Sequence, residues 1–235
     1  FRYIHKSIKK DIQSAQLEST FLLSFTHELK TPIASIRLML DTLLIRKTNE
    51  ELQKQMVKDA QQELLRLQNQ IENILLTTRT QSNSFEKKDE ETSLEELIQE
   101  PIQKIQKWFP TSIIEVNLKE NSMIFFDQEL FSSLILNILE NAIVHSQSTR
   151  PIEAHFGIEN KTLLIEIKDS GNGIPDNIQS QITKRFFRSD NGQQMTKGTG
   201  LGLYLADSIV KHYRGTLTFH ANVPSGTIVK IQLPI

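Results

Sequence analysis

From Phe1 to about Arg46, apolar side chains return at a fixed interval: Phe1, Ile8, Ala15, Leu22, Leu29, Ile36 and Leu43 are spaced seven apart. That period marks one seam of a coiled coil or helical bundle. Ile4 and Phe25 accompany the seam, while Asp11 and Glu18 interrupt it in the early turns. Thr48, followed three residues later by Glu51, reads as a capping box that opens a second helix. Along that helix Leu52, Met56, Ala60, Leu64, Leu67, Ile71 and Ile74 step by three or four. The short connection predicts an antiparallel helical hairpin over residues 1–80. Two helices cannot enclose a core, so the stripes call for a partner, most simply a second copy completing a dimeric four-helix bundle.

Residues 81–92 are polar and charged and read as a linker. Beyond them the pattern changes. Ser93 and Glu96 form a capping box for a helix running to Trp108, and strand-like stretches follow at 113–118 and 123–126. Asp127 is placed to cap a long apolar helix from Gln128 to His145. Apolar strands follow that helix, then a glycine-rich stretch, a helix from Leu201 to His212, and two closing strands. Paired strands with interspersed helices predict an α/β sandwich over 93–235, a mixed sheet with helices on one face. The fold class is therefore multidomain, α followed by α/β.

Composition narrows the function. With 38% hydrophobic and 23% charged residues, the chain has a globular balance. A formal net charge of -1 gives no electrostatic footprint for nucleic acid. Zero cysteines exclude disulfides, a cysteine nucleophile and thiolate metal sites. No apolar run approaches the roughly 18 residues of a spanning helix, so no membrane contact is expected within this stretch. The chain begins at Phe1 without Met and is expected to be a fragment; Lys6, Lys9 and Lys10 would suit a cytoplasmic region just inside a membrane span. All nine glycines lie at or after position 157, and six of them fall between Gly171 and Gly202. A site is expected there.

Four clusters carry candidate chemistry. His27 falls on the outer face of the first helix beside Glu28, with Thr31 one turn on and Pro32 expected to bend the helix. Asn137, Asn141 and His145 form a polar stripe on an apolar helix. They are either hydrogen-bonded core groups or oxygen donors to a ligand or hydrated Mg²⁺. Asp169, Gly171 and Gly173 follow a strand. They form a plain turn or a carboxylate that accepts from a base amino group. Gly198, Thr199, Gly200, Leu201 and Gly202 open a helix whose free N–H groups suit phosphate. This is neither a Walker loop nor a dinucleotide fingerprint. The polar stretch before it, residues 189–197, reads as a lid.

In order and spacing, His-Glu-Leu-Lys-Thr-Pro (27–32), Asn-x-x-x-Asn-Ala (137–142), Asp-x-Gly-x-Gly (169–173), Arg-Phe-Phe-Arg (185–188) and Gly-Thr-Gly-Leu-Gly-Leu (198–203) resemble the H, N, G1, F and G2 boxes of sensor histidine kinases. Ser225-Gly226-Thr227 matches a further small motif of that family. The resemblance implies a dimeric phospho-acceptor hairpin joined to an ATP-binding domain of the gyrase, Hsp90 and MutL type. It implies transfer of the γ-phosphoryl of ATP to His27 with Glu28 as base, then onward to an aspartate on a response-regulator receiver domain. Asn141 with Asn137 would hold Mg²⁺, and His145 would add a polar contact. Asp169 would read adenine; Arg188, Lys197 and the 198–202 backbone would steady the phosphates. Thr31 holds the place of the residue that aligns water in the family's regulator phosphatases.

The sequence departs from that family at three places. Val144 and His145 stand where a basic residue and Tyr are usual, Thr183-Lys184-Arg185 replaces Phe-Glu-Arg, and Lys197 replaces a glycine. Two other functions share parts of this pattern: an ATP-driven clamp of the same nucleotide fold, and a weak kinase acting chiefly as a phosphatase. The whole protein is expected to be a membrane-anchored sensor with this region in the cytoplasm.

Overall fold

The computed structural model describes residues 23, 25–26, 29–45, 49–80, 88–146, 150–188 and 200–235. The chain forms two compact units, residues 1–72 with 190–200, and residues 73–189 with 201–235.

In the first unit α1 covers residues 29–45 and continues through Pro32. Helix α2 spans Glu50–Thr80. Its cap is Asn49, whose Oδ1 accepts the Leu52 N–H at 2.8 Å. Thr48, the cap expected from sequence, lies outside the described residues. Asparagine one position later serves as well, because its short side chain reaches the same orphan amides. Seam residues Leu29, Ile36, Leu43, Met56 and Leu67 are half-buried, while Leu38, Leu44, Leu52, Leu64 and Ile71 remain exposed.

The second unit begins in the last turns of α2. After them come β1 (Glu90–Ser93), α3 (Leu94–Trp108), β2 (Ile114–Leu118), β3 (Met123–Phe126) and α4 (Gln128–His145). Next are β4 (Ile152–Glu159), β5 (Thr162–Lys168), the short α5 (Asp176–Gln179), α6 (Gly202–His212), β6 (Thr216–Ala221) and β7 (Thr227–Pro234). Five strands form a mixed sheet in the order β2-β4-β5-β7-β6, with only β2 and β4 parallel. Strand β1 occupies part of the stretch that reads as a linker, pairing antiparallel with β3 from Glu90↔Phe126 to Ser93↔Met123. Its sequence, Glu-Glu-Thr-Ser, has no apolar alternation to betray it. Backbone pairing to an apolar neighbour makes the strand.

Alternation along the sheet decides which face is covered. Ile152, Ala154 and Phe156 of β4, Leu163, Ile165 and Ile167 of β5, and Val229, Ile231 and Leu233 of β7 are buried. They share one core with Leu97 and Ile105 of α3, Leu134, Ile138 and Leu139 of α4, and Leu205 and Ile209 of α6. The other face carries charge: Glu166 receives Lys230 at 2.8 Å and Lys168 at 3.1 Å. Fully burying one such Leu or Ile is worth roughly 1.5–3 kcal/mol.

Two caps foreseen in the sequence are present. Ser93 accepts the Glu96 N–H, and Asp127 accepts that of Leu130 at 3.1 Å. Asp127 does more than cap. Its second oxygen accepts the Lys88 N–H at 3.0 Å, and its own N–H donates to the Tyr213 hydroxyl at 3.1 Å. That hydroxyl donates to Asp89 at 2.5 Å, and the ring stacks on Phe126 with centroids 3.9 Å apart. One phenol thus ties residues 88–89 and the start of α4 to the end of α6.

Burial, and then the bond to Asp89, push the Tyr213 phenol above its ordinary value. The phenol stays neutral in the fold while the unfolded chain ionises near pH 10. Its contribution is therefore complete below about pH 10 and is lost as pH rises beyond it. Tyr213→Phe should cost about 1–3 kcal/mol at neutral pH, because the Asp127 N–H loses its acceptor. Denaturant titrations from pH 8 to 11 should also show a shallower alkaline loss in this variant than in the wild type.

Candidate nucleotide-binding site

Helix α4 carries its polar stripe outward from the core. Asn137 is 3% exposed, Asn141 is half-buried and His145 is exposed. Each amide answers the demand that buried polar groups be bonded. Asn141 Nδ2 donates to the Asn137 main-chain oxygen at 2.8 Å, and no partner holds its Oδ1 among the described residues. Asn137 Nδ2 donates to the Ser133 carbonyl at 2.8 Å and to Asn73 Oδ1 at 3.2 Å. Asn137 Oδ1 accepts from Asn73 Nδ2 at 3.1 Å. Of the two asparagines expected to hold a cation, only Asn141 offers an oxygen in this arrangement. Asn137 takes the other role open to it, a hydrogen-bonded core group.

Asp169 follows β5 and is 6% exposed. Its Oδ1 accepts two main-chain N–H groups, from Gly171 at 2.8 Å and Thr227 at 3.1 Å. The main chain on either side is held too: Asp169 N–H donates to the Thr227 carbonyl, and its carbonyl accepts from Asn222 Nδ2 at 2.7 Å. The carboxylate is locked in orientation, with Oδ2 left to accept from a ligand. An exocyclic amine of a purine presents such a donor.

Close backbone approach brings the other segments in. A Cβ on Gly226, at φ +118°, would lie 2.0 Å from the Asp169 carbonyl oxygen, so the β6–β7 turn can meet the Asp169 turn only through glycine. A Cβ on Gly202 would lie 2.6 Å from Asn137 Oδ1. Gly171 faces the His145 carbonyl in the same manner, and Gly173 faces Gly226. These contacts join the Asp169 turn to the end of α4 and to the closing hairpin, and the start of α6 to the middle of α4. Leu201 is buried, and α6 opens without a side-chain cap. Main-chain donors at a helix start suit an anion.

The remaining expected residues divide by what is described. Arg188 is half-buried, and Arg185 lies over the Phe186 ring at 4.4 Å. Gly200 adopts φ +67° in the first unit. Thr31 is exposed on α1. His27, Glu28, Lys197, Gly198 and Thr199 lie outside the described residues. Sequence reasoning missed the roles of Thr227, Asn222 and Asn73. The first carried a signal, since the Ser225-Gly226-Thr227 motif ends on it; the other two sit in stretches with none.

Comparison with known proteins agrees with this geometry. Residues 17–83 match the His Kinase A (phospho-acceptor) domain, and residues 126–235 match the histidine kinase-, DNA gyrase B-, and HSP90-like ATPase. Sensor protein KdpD of Clostridium acetobutylicum is 32% identical over 96% of this chain and 26% of its own length. The signal transduction histidine-protein kinase ArlS of Staphylococcus haemolyticus is 29% identical over 93% of the chain and 49% of its own. Among solved structures, the mycobacterial sensor histidine kinase MprB aligns with a TM-score of 0.55 at 26% identity, covering 62% of this chain and 97% of that one. The chain thus spans between a quarter and a half of the length of these two curated relatives. Phospho-acceptor helices followed by an ATPase-type domain, in that order and with these relatives, place the chain among the sensor histidine kinases of two-component systems, as their catalytic core.

Proposed function

We propose that this core phosphorylates His27 from Mg·ATP and passes the phosphoryl group to an aspartate of a response regulator. The locked carboxylate of Asp169, with one oxygen free beside the glycine turn, is the observation that carries the nucleotide reading. Asp169 would accept from the adenine amine, and the start of α6 with Arg188, Lys197 and the 198–202 main chain would hold the phosphates. Asn141, an uncharged oxygen donor, fits the hard Mg²⁺ ion, whose part is to neutralise charge on the phosphates. Asn137 would join it once its oxygen is released, and His145 would add a polar contact at the rim.

The chemistry is positioning and charge neutralisation. A lone pair on the His27 imidazole forms the N–P bond while the bond from phosphorus to the β,γ-bridging oxygen breaks and ADP departs. Glu28 takes the proton from the other ring nitrogen. In the second step a regulator carboxylate oxygen displaces the imidazole. The exposed leucines and isoleucines of α1 and α2 support a homodimer through the helices, as a four-helix bundle would bury them. No helix among the described residues is long and apolar enough to cross a membrane. We place this core in the cytoplasm, attached in the whole protein to a membrane-anchored sensor.

With γ-labelled ATP and Mg²⁺, the wild type should acquire an acid-labile, alkali-stable label, as a phosphoramidate does. His27→Gln should lose it while nucleotide affinity stays within a few fold. A clamp-type ATPase would release phosphate and label no histidine. Asp169→Ala should weaken nucleotide binding about ten- to a hundredfold, the scale of about 1–3 kcal/mol for a truncated buried polar partner. Unchanged ATP titration in that variant would refute the site.

Thr31, an exposed residue of α1 four positions after His27 in the sequence, supports a second activity, hydrolysis of the regulator's phosphoaspartate. A hydroxyl can donate to and accept from an attacking water. Thr31→Ala should slow dephosphorylation of the phosphorylated regulator tenfold or more, with His27 labelling near normal. Equal loss of both activities would make Thr31 a structural residue.

A further inference from the structure

The metal-site asparagine Asn137 is not free to meet a cation, and the residue that occupies it comes from α2. Helix α2 runs unbroken from Glu50 to Thr80, and Asn73 is its first residue in the second unit. Asn73 is 9% exposed, and its neighbours one turn on, Leu76 and Thr77, are more buried still. Its amide faces that of Asn137 head to head, each nitrogen donating to the other's oxygen at 3.1 and 3.2 Å. Ser133 Oγ adds a third, longer bond to Asn73 Oδ1 at 3.4 Å. Thr77 Oγ1 donates to the Asn73 carbonyl at 2.6 Å, fastening the turn that carries it.

A carbonyl oxygen has two directions from which to accept. At Asn137 Oδ1, Asn73 fills one, and the start of α6 closes in on the oxygen as well, since a Cβ on Gly202 would stand 2.6 Å away. Asn137 Oδ1 is thus already engaged and closely neighboured by the main chain of Gly202. The same residue passes the constraint on, because its main-chain oxygen holds Asn141 Nδ2 at 2.8 Å and so aims the free Asn141 oxygen. Three asparagines thus run in series from α2 to the one open donor of the site.

We infer that Asn73 is a positioning residue, a latch on α2 that keeps Asn137 off the cation and leaves the nucleotide site below full strength until the pair opens. This rests on the nucleotide reading of the site above. A buried amide pair suits such a role. Closed, it satisfies both partners; open, Asn137 gains a cation as its new partner, while Asn73 keeps the longer contact with Ser133 Oγ, so the closed pair is the resting state. When a competent state is only partly populated, apparent affinity falls by that fraction, and a substitution that frees the state restores it. Because α2 is continuous, a turn or slide of the helix at Asn73 would change the metal affinity of the site through this one amide pair.

The test is the Mg²⁺ dependence of nucleotide binding, measured at equilibrium with a fluorescent ADP analogue on the whole chain, with Mg²⁺ and with chelator. Asn73→Leu, similar in size but unable to pair, should tighten binding in Mg²⁺ at least about threefold and leave binding in chelator unchanged. In an Asn137→Ala background the same substitution should change neither. Asn73→Ser, too short to reach Asn137, should give the same result and decides the matter if the leucine variant does not fold. Unaltered Mg²⁺ dependence in a folded variant, or equal weakening with and without metal, would show a merely structural pair and overturn the latch. A wild type that binds no nucleotide would instead overturn the site itself, and the latch with it.

Discussion

Helix α4 has to be core and site at once, and much of the second unit follows from that conflict. Leu134, Ile135, Ile138, Leu139 and Ala142 bury it against α3, α6 and the sheet, while Asn137, Asn141 and His145 run along the same helix. Burying an amide without partners would cost a few kcal/mol, a sizeable share of a domain's net stability. The structure resolves this by grading exposure along the stripe. The deepest residue bonds to α2 and to its own helix, the next bonds inward and keeps an oxygen outward, and the last reaches solvent. Helix α6 must then lie against an amide rather than an aliphatic surface, which is why its first residue is Gly202.

Rigidity of the site comes from main-chain contacts more than from side chains. At Gly171, Gly202 and Gly226 a single Cβ would collide with an oxygen of another segment. The close approach lets Asp169 gather two amides from different turns onto one oxygen. A carboxylate held that way is fixed in orientation, so its other oxygen presents an acceptor at a fixed point. Preorganisation of this kind gives orientation without entropy lost at binding.

How much of this could be read from the sequence follows from what each interaction leaves in it. Period-three and period-four stripes and the caps at Ser93 and Asp127 are local, so α3 and α4 could be placed almost to the residue. Glycines at 171, 173, 200 and 202 marked a stretch where the backbone must approach other groups closely, and at Gly202 the close neighbour in the structure is the Asn137 amide. Strand β1 was illegible because its pairing is supplied by β3. The cap at Asn49 displaced Thr48 because both residues can cap and sequence alone does not rank neighbours one position apart. Asn73 left no sign at all. An asparagine in a helix is unremarkable until its partner, 64 residues on, is known.

What distinguishes a phosphotransferase from other users of this nucleotide fold is what is tethered to it, since fold alone does not set function. Here the tether is α2. One helix belongs to the unit that carries the His27 motif for most of its length and to the nucleotide unit at its end. A covalently joined acceptor would meet a bound nucleotide at an effective concentration set by the length and stiffness of the tether rather than by the protein concentration. A neutral imidazole, a modest nucleophile, can then suffice without a strongly perturbed base. Under the proposed function the same tether would be a liability if acceptor and nucleotide were always engaged, because a phosphorylated histidine would also have to meet a separate regulator. Control is therefore most economically placed on the tether itself, at a residue such as Asn73 that senses the helix and touches the site through one amide.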